Sequence, residues 1–292
     1  MRFAFIEQYR ATWPITVMSV VLRVSRSGFY AWRKRPESER SKACKRLVEQ
    51  IQQIHTASRR IYGSPRVHAG LIEAGESCCV NHVAKMMRDN GIRSKVKRKF
   101  KLTTDSKHSH PETPNKLDRQ FEQKAPNQVW TADITFIPTG EGWLYLAIVM
   151  DLFSRMIVGW SMSSRMTVDL TLEALQMAIE RRRPSQGVLH HSDRGSQYAS
   201  GDYQRRLQSH RIDSSMSRKG DCWDNAPTES VIGTIKSELV SFDAYETRDA
   251  GRQSIFEYIE AFYNRERKHS ALGYVSPQEY EARYERSVRD AG

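Results

Sequence analysis

Apolar residues recur along this chain in two rhythms, and the change falls near residue 127. Before it the spacing is helical. Ile15, Met18, Val21 and Leu22 follow Pro14, a residue that suits a helix start, and predict one helix. Ser25 is an N-cap for a second, carrying Phe29, Tyr30 and Trp32. Leu47, Ile51 and Ile54 mark a third. Pro65 opens a fourth, with Val67, Leu71 and Ile72 facing inward. Val80, Val83, Ala84 and Met87 repeat at i, i+3, i+4 and i+7 and predict a fifth, capped by Ser77 and stopped by Asn90-Gly91. After residue 127 the pattern becomes that of strands at 129–137, 143–150 and 156–160, punctuated by Gly140 and Gly142. A helix at about 168–182 capped by Thr167, a short strand at 188–190, a helix at 201–210 and a strand at 212–216 follow. A helix from Asn225 to about 239 and two C-terminal helices complete the chain. One of these carries Ile255, Tyr258, Ile259 and Phe262; the other opens on the capping box Ser276-Pro277-Gln278-Glu279. Three meandering strands and then alternating helix and strand predict an α/β core, a mixed five-stranded sheet with flanking helices, preceded by small all-α helix-turn-helix-like domains. The expected divisions are 1–38, 39–92, a linker at 93–126, the core at 127–245 and a helical extension at 246–292.

Charge sharpens that division. Of the 46 lysines and arginines, 26 fall within residues 1–126, which hold only 11 of the 34 acidic residues. A basic front half on a near-neutral back half points to a polyanion partner, with a solvated basic surface as the plainer alternative. Arg93, Lys95, Lys97, Arg98, Lys99 and Lys101 form the most basic window, suited to phosphate contacts that carry no sequence information. Arg26, at the start of the second helix, fits the same role. No apolar run approaches the length of a membrane span, and no secretory leader is recognisable. Four cysteines in no C-x-x-C pair suggest a reducing, intracellular setting. His55, His68, His82, Cys78 and Cys79 match no zinc-finger spacing and read as core or surface residues.

Three carboxylates stand out. Asp133 sits in mid-strand, where charge is disfavoured, on the face shared with Thr131 and Thr135. Asp193 follows a strand end and precedes Gly195, a usual place for ligand sites in α/β sheets and also for a turn residue. Glu229 lies early in the helix begun by Asn225, where it also complements the macrodipole; Lys236, seven residues on, falls on nearly the same side. Acids brought together repel, and a pair about 4 Å apart costs on the order of 4 kcal/mol at an effective dielectric near 20. An all-oxygen set favours Mg²⁺ or Mn²⁺, and two such ions can activate a water or 3′-hydroxyl towards a phosphodiester. His190 and His191 are then expected to pack rather than act as bases. The chain has no phosphate-loop motif, so ATP hydrolysis is not indicated. A non-catalytic DNA-binding regulator fits the charge split equally well, and a simple nuclease is a third reading.

The motifs WTADIT, HHSDRGSQY and SRKGDCWDNAPTES, with 35 residues between Asp193 and Glu229, resemble the acidic triad of retroviral-integrase-like transposases. With GWLYLAIVMDLFSRMIVGWSMS and YNRERKHSALGYVSPQEY, the chain more closely resembles the second-frame (OrfB) transposases of the third-numbered family of bacterial insertion sequences. The resemblance implies a ribonuclease H-like core and a DDE transposase that cleaves and transfers DNA strands with two Mg²⁺ ions held by Asp133, Asp193 and Glu229. It implies that Lys236 contacts the element's terminal DNA and that Asn225 supports the site. It further implies double-stranded terminal-repeat and target DNA as partners, a homo-oligomer on DNA, an upstream-frame (OrfA) protein or fusion, and a bacterial cytoplasmic, nucleoid-associated location. Arg265, Arg267, Lys268 and His269 are expected either to touch DNA or to form an exposed helix end.

Overall fold

The structure is a computed structural model and describes residues 1–95, 113–185, 187–219 and 221–291. It divides into two compact units, Met1–Ile54 and His55–Gly292.

The first unit holds α1 (Arg2–Tyr9), α2 (Ile15–Val21), α3 (Arg26–Lys34) and all but the last turn of α4 (Glu39–Ala57). Ile6, Met18 and Phe29 form its core, with Phe3, Tyr9, Ile15, Leu22 and Val24 around them. Ser25 caps α3 as its residue type predicts, its Oγ accepting from the Gly28 amide at 3.0 Å. Arg26 is exposed at the start of α3. The pattern reading missed α1, whose Phe3 and Ile6 supply part of that core.

The second unit begins with α5 (Ser64–Glu73) and α6 (Val80–Asp89). Val67, Leu71, Val83 and Met87 are buried, whereas Ile72 is half exposed, contrary to expectation. Cys79 rather than Ser77 occupies the N-cap of α6, and Gly91, at φ +67°, follows its end. Five strands then form one sheet: β1 (Val129–Thr139), β2 (Gly142–Asp151), β3 (Ile157–Ser163), β4 (Leu189–Ser192) and β5 (Asp213–Met216). Their order is β3-β2-β1-β4-β5; the first three run antiparallel, and β4 and β5 run parallel to β1.

Helices cover both faces of the sheet. On one, α7 (Val168–Arg182), α8 (Ser196–Ala199) and α9 (Gly201–Ser209) bury Trp130, Ala132, Ala147 and Val149 against Leu170, Ala174, Leu175, Tyr198, Tyr203 and Leu207. Gly159 permits this contact, because a Cβ there would stand 2.1 Å from the Ala174 carbonyl oxygen. A 3₁₀ turn (Cys222–Asn225) leads into α10 (Ala226–Ile235), which widens into a π turn (Lys236–Val240). α11 (Arg248–Glu257) lies on the opposite face from α7. A Cβ at Gly251 would be 3.2 Å from Leu144 of β2, and the helix continues as a second π turn (Tyr258–Tyr263). α12 (Pro277–Ala291) ends the chain. Ser276 Oγ accepts from the Glu279 amide at 3.2 Å, but the Glu279 carboxylate turns to Arg283 and Arg286, so the expected box is half made. A mixed five-stranded sheet flanked by helices, after helical N-terminal modules, is the architecture the hydrophobic rhythm predicts.

Candidate active site

Register brings the first two acids together. β1 and β4 pair in parallel from Val129 with Leu189 to Ala132 with Ser192. The next residue on each side is an aspartate, Asp133 within β1 and Asp193 just past the end of β4, so the two follow the last rung of the ladder. Asp133 Oδ1 accepts from the Ile134 amide at 2.7 Å. Asp193 Oδ1 accepts from the Gly195 amide at 2.9 Å, the turn that Gly195 suggested.

The third acid arrives through Asn225. Its Nδ2 donates to the Ala132 carbonyl at 3.2 Å, and its Oδ1 accepts from Thr228 Oγ1 at 2.7 Å. Asn225 thus ties the start of α10 to the residue before Asp133, and Glu229 follows about one helical turn along. It does not cap a backbone amide with its side chain, as its residue type suggested. Burial first, then the charge of Asp193, raises the proton affinity of both Asp133 and Glu229; Glu229 also contributes to the shift of Asp133. Burial lowers the Lys236 pKa, while Asp133 opposes that shift. Among the described residues no three ligating side chains stand close enough together, as placed, to form a cation's shell. The donor set nonetheless fits a hard divalent ion: it is all oxygen and mutually repulsive. The buried Tyr198 hydroxyl, which has no hydrogen-bond partner among the described residues, also feels the charges of Asp133 and Asp193.

The neighbouring histidines pack. His190 Nε2 meets the Tyr203 hydroxyl at 2.9 Å, and His191 lies between Ser215 Oγ at 2.9 Å and Ser217 Oγ at 3.2 Å. Burial lowers them to about 3 and about 4, so both are neutral near pH 7. Beyond Asp133 on β1, Lys236 Nζ lies 4.6 Å from the centroid of the Phe136 ring.

Two acids that pattern reading passed over anchor the ends of α10. Asp224, fully buried, accepts from Arg218 Nε and Nη2 at 2.9 and 2.7 Å, from Arg119 Nε at 2.9 Å and from Asn115 Nδ2 at 2.9 Å. Glu238, in the π turn, accepts from Arg267 Nε at 2.7 Å and from the Tyr258 hydroxyl at 2.7 Å. A signal for Glu238 was present. It follows Val231 by seven residues, so it falls on the apolar arc of the helix, where an acid needs a partner.

The proposed DNA contacts divide. Arg93 and Lys95 are exposed, with Lys95 Nζ 4.6 Å from the Phe242 ring centroid. Lys97, Arg98, Lys99 and Lys101 lie outside the described residues. Arg267 is buried on Glu238, and Lys268 donates to Glu73 at 2.5 Å, so neither forms an exposed helix end; the Arg267 guanidinium is committed inside the fold instead of to DNA. His68 turns its Nε2 to the Cys78 carbonyl at 2.9 Å.

A family model described as an integrase core domain matches residues 123–222, and another of the same description matches 210–277; an HTH-like domain model matches 43–100. An uncharacterized 31 kDa protein of insertion element IS600 from Shigella sonnei is 45% identical over 267 residues, covering 91% of this chain and 98% of that protein. The transposase InsF for insertion sequence IS3A from Escherichia coli (strain K12) is 42% identical over 283 residues, covering 96% and 98%. Among solved structures, the HTLV-2 integrase catalytic core domain in complex with magnesium (trimeric form) aligns at a TM-score of 0.41 and 18% identity, over 54% of this chain and 97% of that one. No helix among the described residues is long and apolar enough to cross a membrane.

Proposed function

Because the chain belongs to the InsF-type transposase family of IS3 insertion sequences, we propose that it cuts the ends of its own element and joins them to target DNA, with Asp133, Asp193 and Glu229 as the catalytic acids. One observation carries the site assignment: the parallel register that ends with Ala132 beside Ser192, with Asn225 hydrogen-bonded to that same Ala132. This supports a reading in which a strand interior, a strand end and a helix start serve one reacting phosphodiester.

The three carboxylates are the residues that would hold two divalent ions, Mg²⁺ or Mn²⁺. When bound, such ions polarise the phosphodiester and lower the pKa of the attacking water or 3′-hydroxyl. The chain's own groups supply the rest. Asp133 is held within β1 and Asp193 just past the end of its partner β4, each by an amide hydrogen bond. Asn225 orients the helix that carries Glu229. Lys236, on the same helical run, holds the terminal DNA near the acids, and the buried histidines, neutral near pH 7, leave the site without a competing side-chain base. The HTH-like region, Arg26, the basic window 93–101 and a homo-oligomer, with or without an upstream-frame protein, deliver the double-stranded DNA. A nucleoid-associated, cytoplasmic location follows from that partner.

The test incubates the full chain with Mg²⁺ and a labelled element-end duplex and looks for nicked and joined products. Glu229→Gln is expected to retain DNA binding and to lose at least about a hundredfold in product formation, the scale of removing one essential group. Wild-type activity in that variant would remove Glu229 from the chemistry. A wild-type chain that binds DNA but forms no product and takes up no Mn²⁺ would favour a non-catalytic regulator.

A further inference from the structure

The hairpin of β1 and β2 extends past the acids and carries two large aromatic rings into solvent. Phe136 is 46% and Trp143 49% exposed. The register pairs Phe136 with Tyr145 and Pro138 with Trp143, so these residues share one face of the hairpin. The Phe136 and Trp143 rings meet edge to face at a centroid distance of 5.0 Å and an interplanar angle of 78°. Lys236 Nζ stands 4.6 Å from the centroid of Phe136. Phe136 is three residues beyond Asp133 on the same strand, about 10 Å along it and on the other side of the pleat, and Lys236 reaches its ring from the helix that carries Glu229.

Leaving two such rings in water is unfavourable, and single exposed apolar residues do not usually come as a packed aromatic pair beside a cation. A flat apolar surface beside an ammonium group complements a nucleotide, which joins a π-face to a phosphate. We propose that Phe136 and Trp143 form a stacking platform for an unpaired nucleobase at the DNA end, with Lys236 on the adjoining phosphate. The platform rests on the reading of the acids as the place where DNA ends react, because it assigns the bases beside the reacting phosphate. Terminal pairs would open at this hairpin, and the displaced base would stack on the rings. A protein surface seated there would not need the cation.

The experiment measures binding in EDTA by fluorescence polarisation, so that no chemistry contributes. Two DNAs are compared, a blunt element-end duplex and the same duplex with two unpaired terminal nucleotides. Wild type is expected to prefer the unpaired end. Trp143→Ala and the Phe136→Ala/Trp143→Ala double variant should weaken binding to the unpaired end about tenfold or more, the range of one base–aromatic stack. Binding to the blunt duplex should change less than about twofold, and Trp143→Phe should retain the preference. Both positions are exposed, and unchanged thermal unfolding of the variants checks that the fold is intact. Equal weakening on both DNAs, no weakening on either, or a wild type without preference overturns the platform. So does loss of self-association in sedimentation with DNA binding unchanged, which would make the patch a protein-docking face. Failure of the transposase reading shows elsewhere, as absence of Mg²⁺-dependent product from the wild-type chain.

Discussion

Arg267→Met strips a buried carboxylate of its bidentate partner. Arg267 and Glu238 side chains are 4% and 3% exposed and meet at 2.6 Å through Nη2 and Oε1, with a second bond of 2.7 Å from Nε to Oε2. The Tyr258 hydroxyl also donates to Glu238, and Arg66 Nη1 lies 3.5 Å away. Burial works against the charged guanidinium, and the hydrogen bonds and charge of Glu238 more than restore it, so Arg267 titrates above its usual range. Removing one partner of such a pair costs about 3–5 kcal/mol, because the other charge is left buried and uncompensated. Arg66 is close enough to offset part of this, which places the expected loss near the lower end, about 3 kcal/mol. At roughly 2–4 °C per kcal/mol for a unit of this size, the melting temperature should fall by about 6–12 °C. Glu238 lies in the π turn that continues the Glu229 helix, so strand cleavage should also weaken below the unfolding transition. The assay is urea and thermal unfolding by circular dichroism, with Glu238→Gln added to Arg267→Met. The double variant leaves no buried carboxylate uncompensated, only Arg66, whose side chain is 24% exposed, and should recover at least about 1 kcal/mol over the single one. A melting shift under about 2 °C for Arg267→Met, or a double variant no more stable than the single, refutes the account.

Three further outcomes follow from the same chemistry. Asp133→Asn keeps an acceptor for the Ile134 amide but removes a repelled charge. The folded pKa of Asp133 is raised above its ordinary 3.8, by burial first and then by Asp193, so its stabilising contribution is full below 3.8 and is lost as pH rises through the raised value. The variant should be inactive with Mg²⁺ and, in EDTA, about 1–3 kcal/mol more stable than wild type at the alkaline end of a urea series run from about pH 4 to about pH 9; lower stability throughout would count against the placement. Asp224 shifts the other way. Hydrogen bonds from Arg218, and from Arg119 beyond it, hold its pKa below 3.8, so its contribution is present above that value and disappears as pH falls through the depressed one. Asp224→Asn should cost about 1.5–3 kcal/mol near pH 7, towards the lower figure because Arg218 is exposed, and should flatten the acid limb of the stability profile. An unchanged acid limb contradicts this. Gly159→Ala would set a Cβ 2.1 Å from the Ala174 carbonyl oxygen, forcing α7 off β3 at a cost of about 3 kcal/mol or more; a melting temperature within about 2 °C of wild type would show that the helix has room.

Much of this protein was legible in its order of residues. Alternation at 129–137 and helical spacing at 168–182 fixed which elements form, because burying one face of a strand or helix demands that period and no other. The contexts of Asp133, Asp193 and Glu229 marked them as unusual, since a charge in a strand or beside an apolar arc asks for a reason. Periodicity tells which way a side chain points within its own element and says nothing of which strand will lie beside it. Tertiary structure alone decided that Ala132 pairs with Ser192 and that Asn225 reaches the Ala132 carbonyl instead of capping its own helix. It alone buried Arg267 on Glu238, 29 positions away, where a run of basic residues had suggested a solvent-facing end. It alone brought Lys236 over Phe136. These contacts join residues far apart in the chain, and their energies depend on distance and exclusion of water, which no local pattern carries.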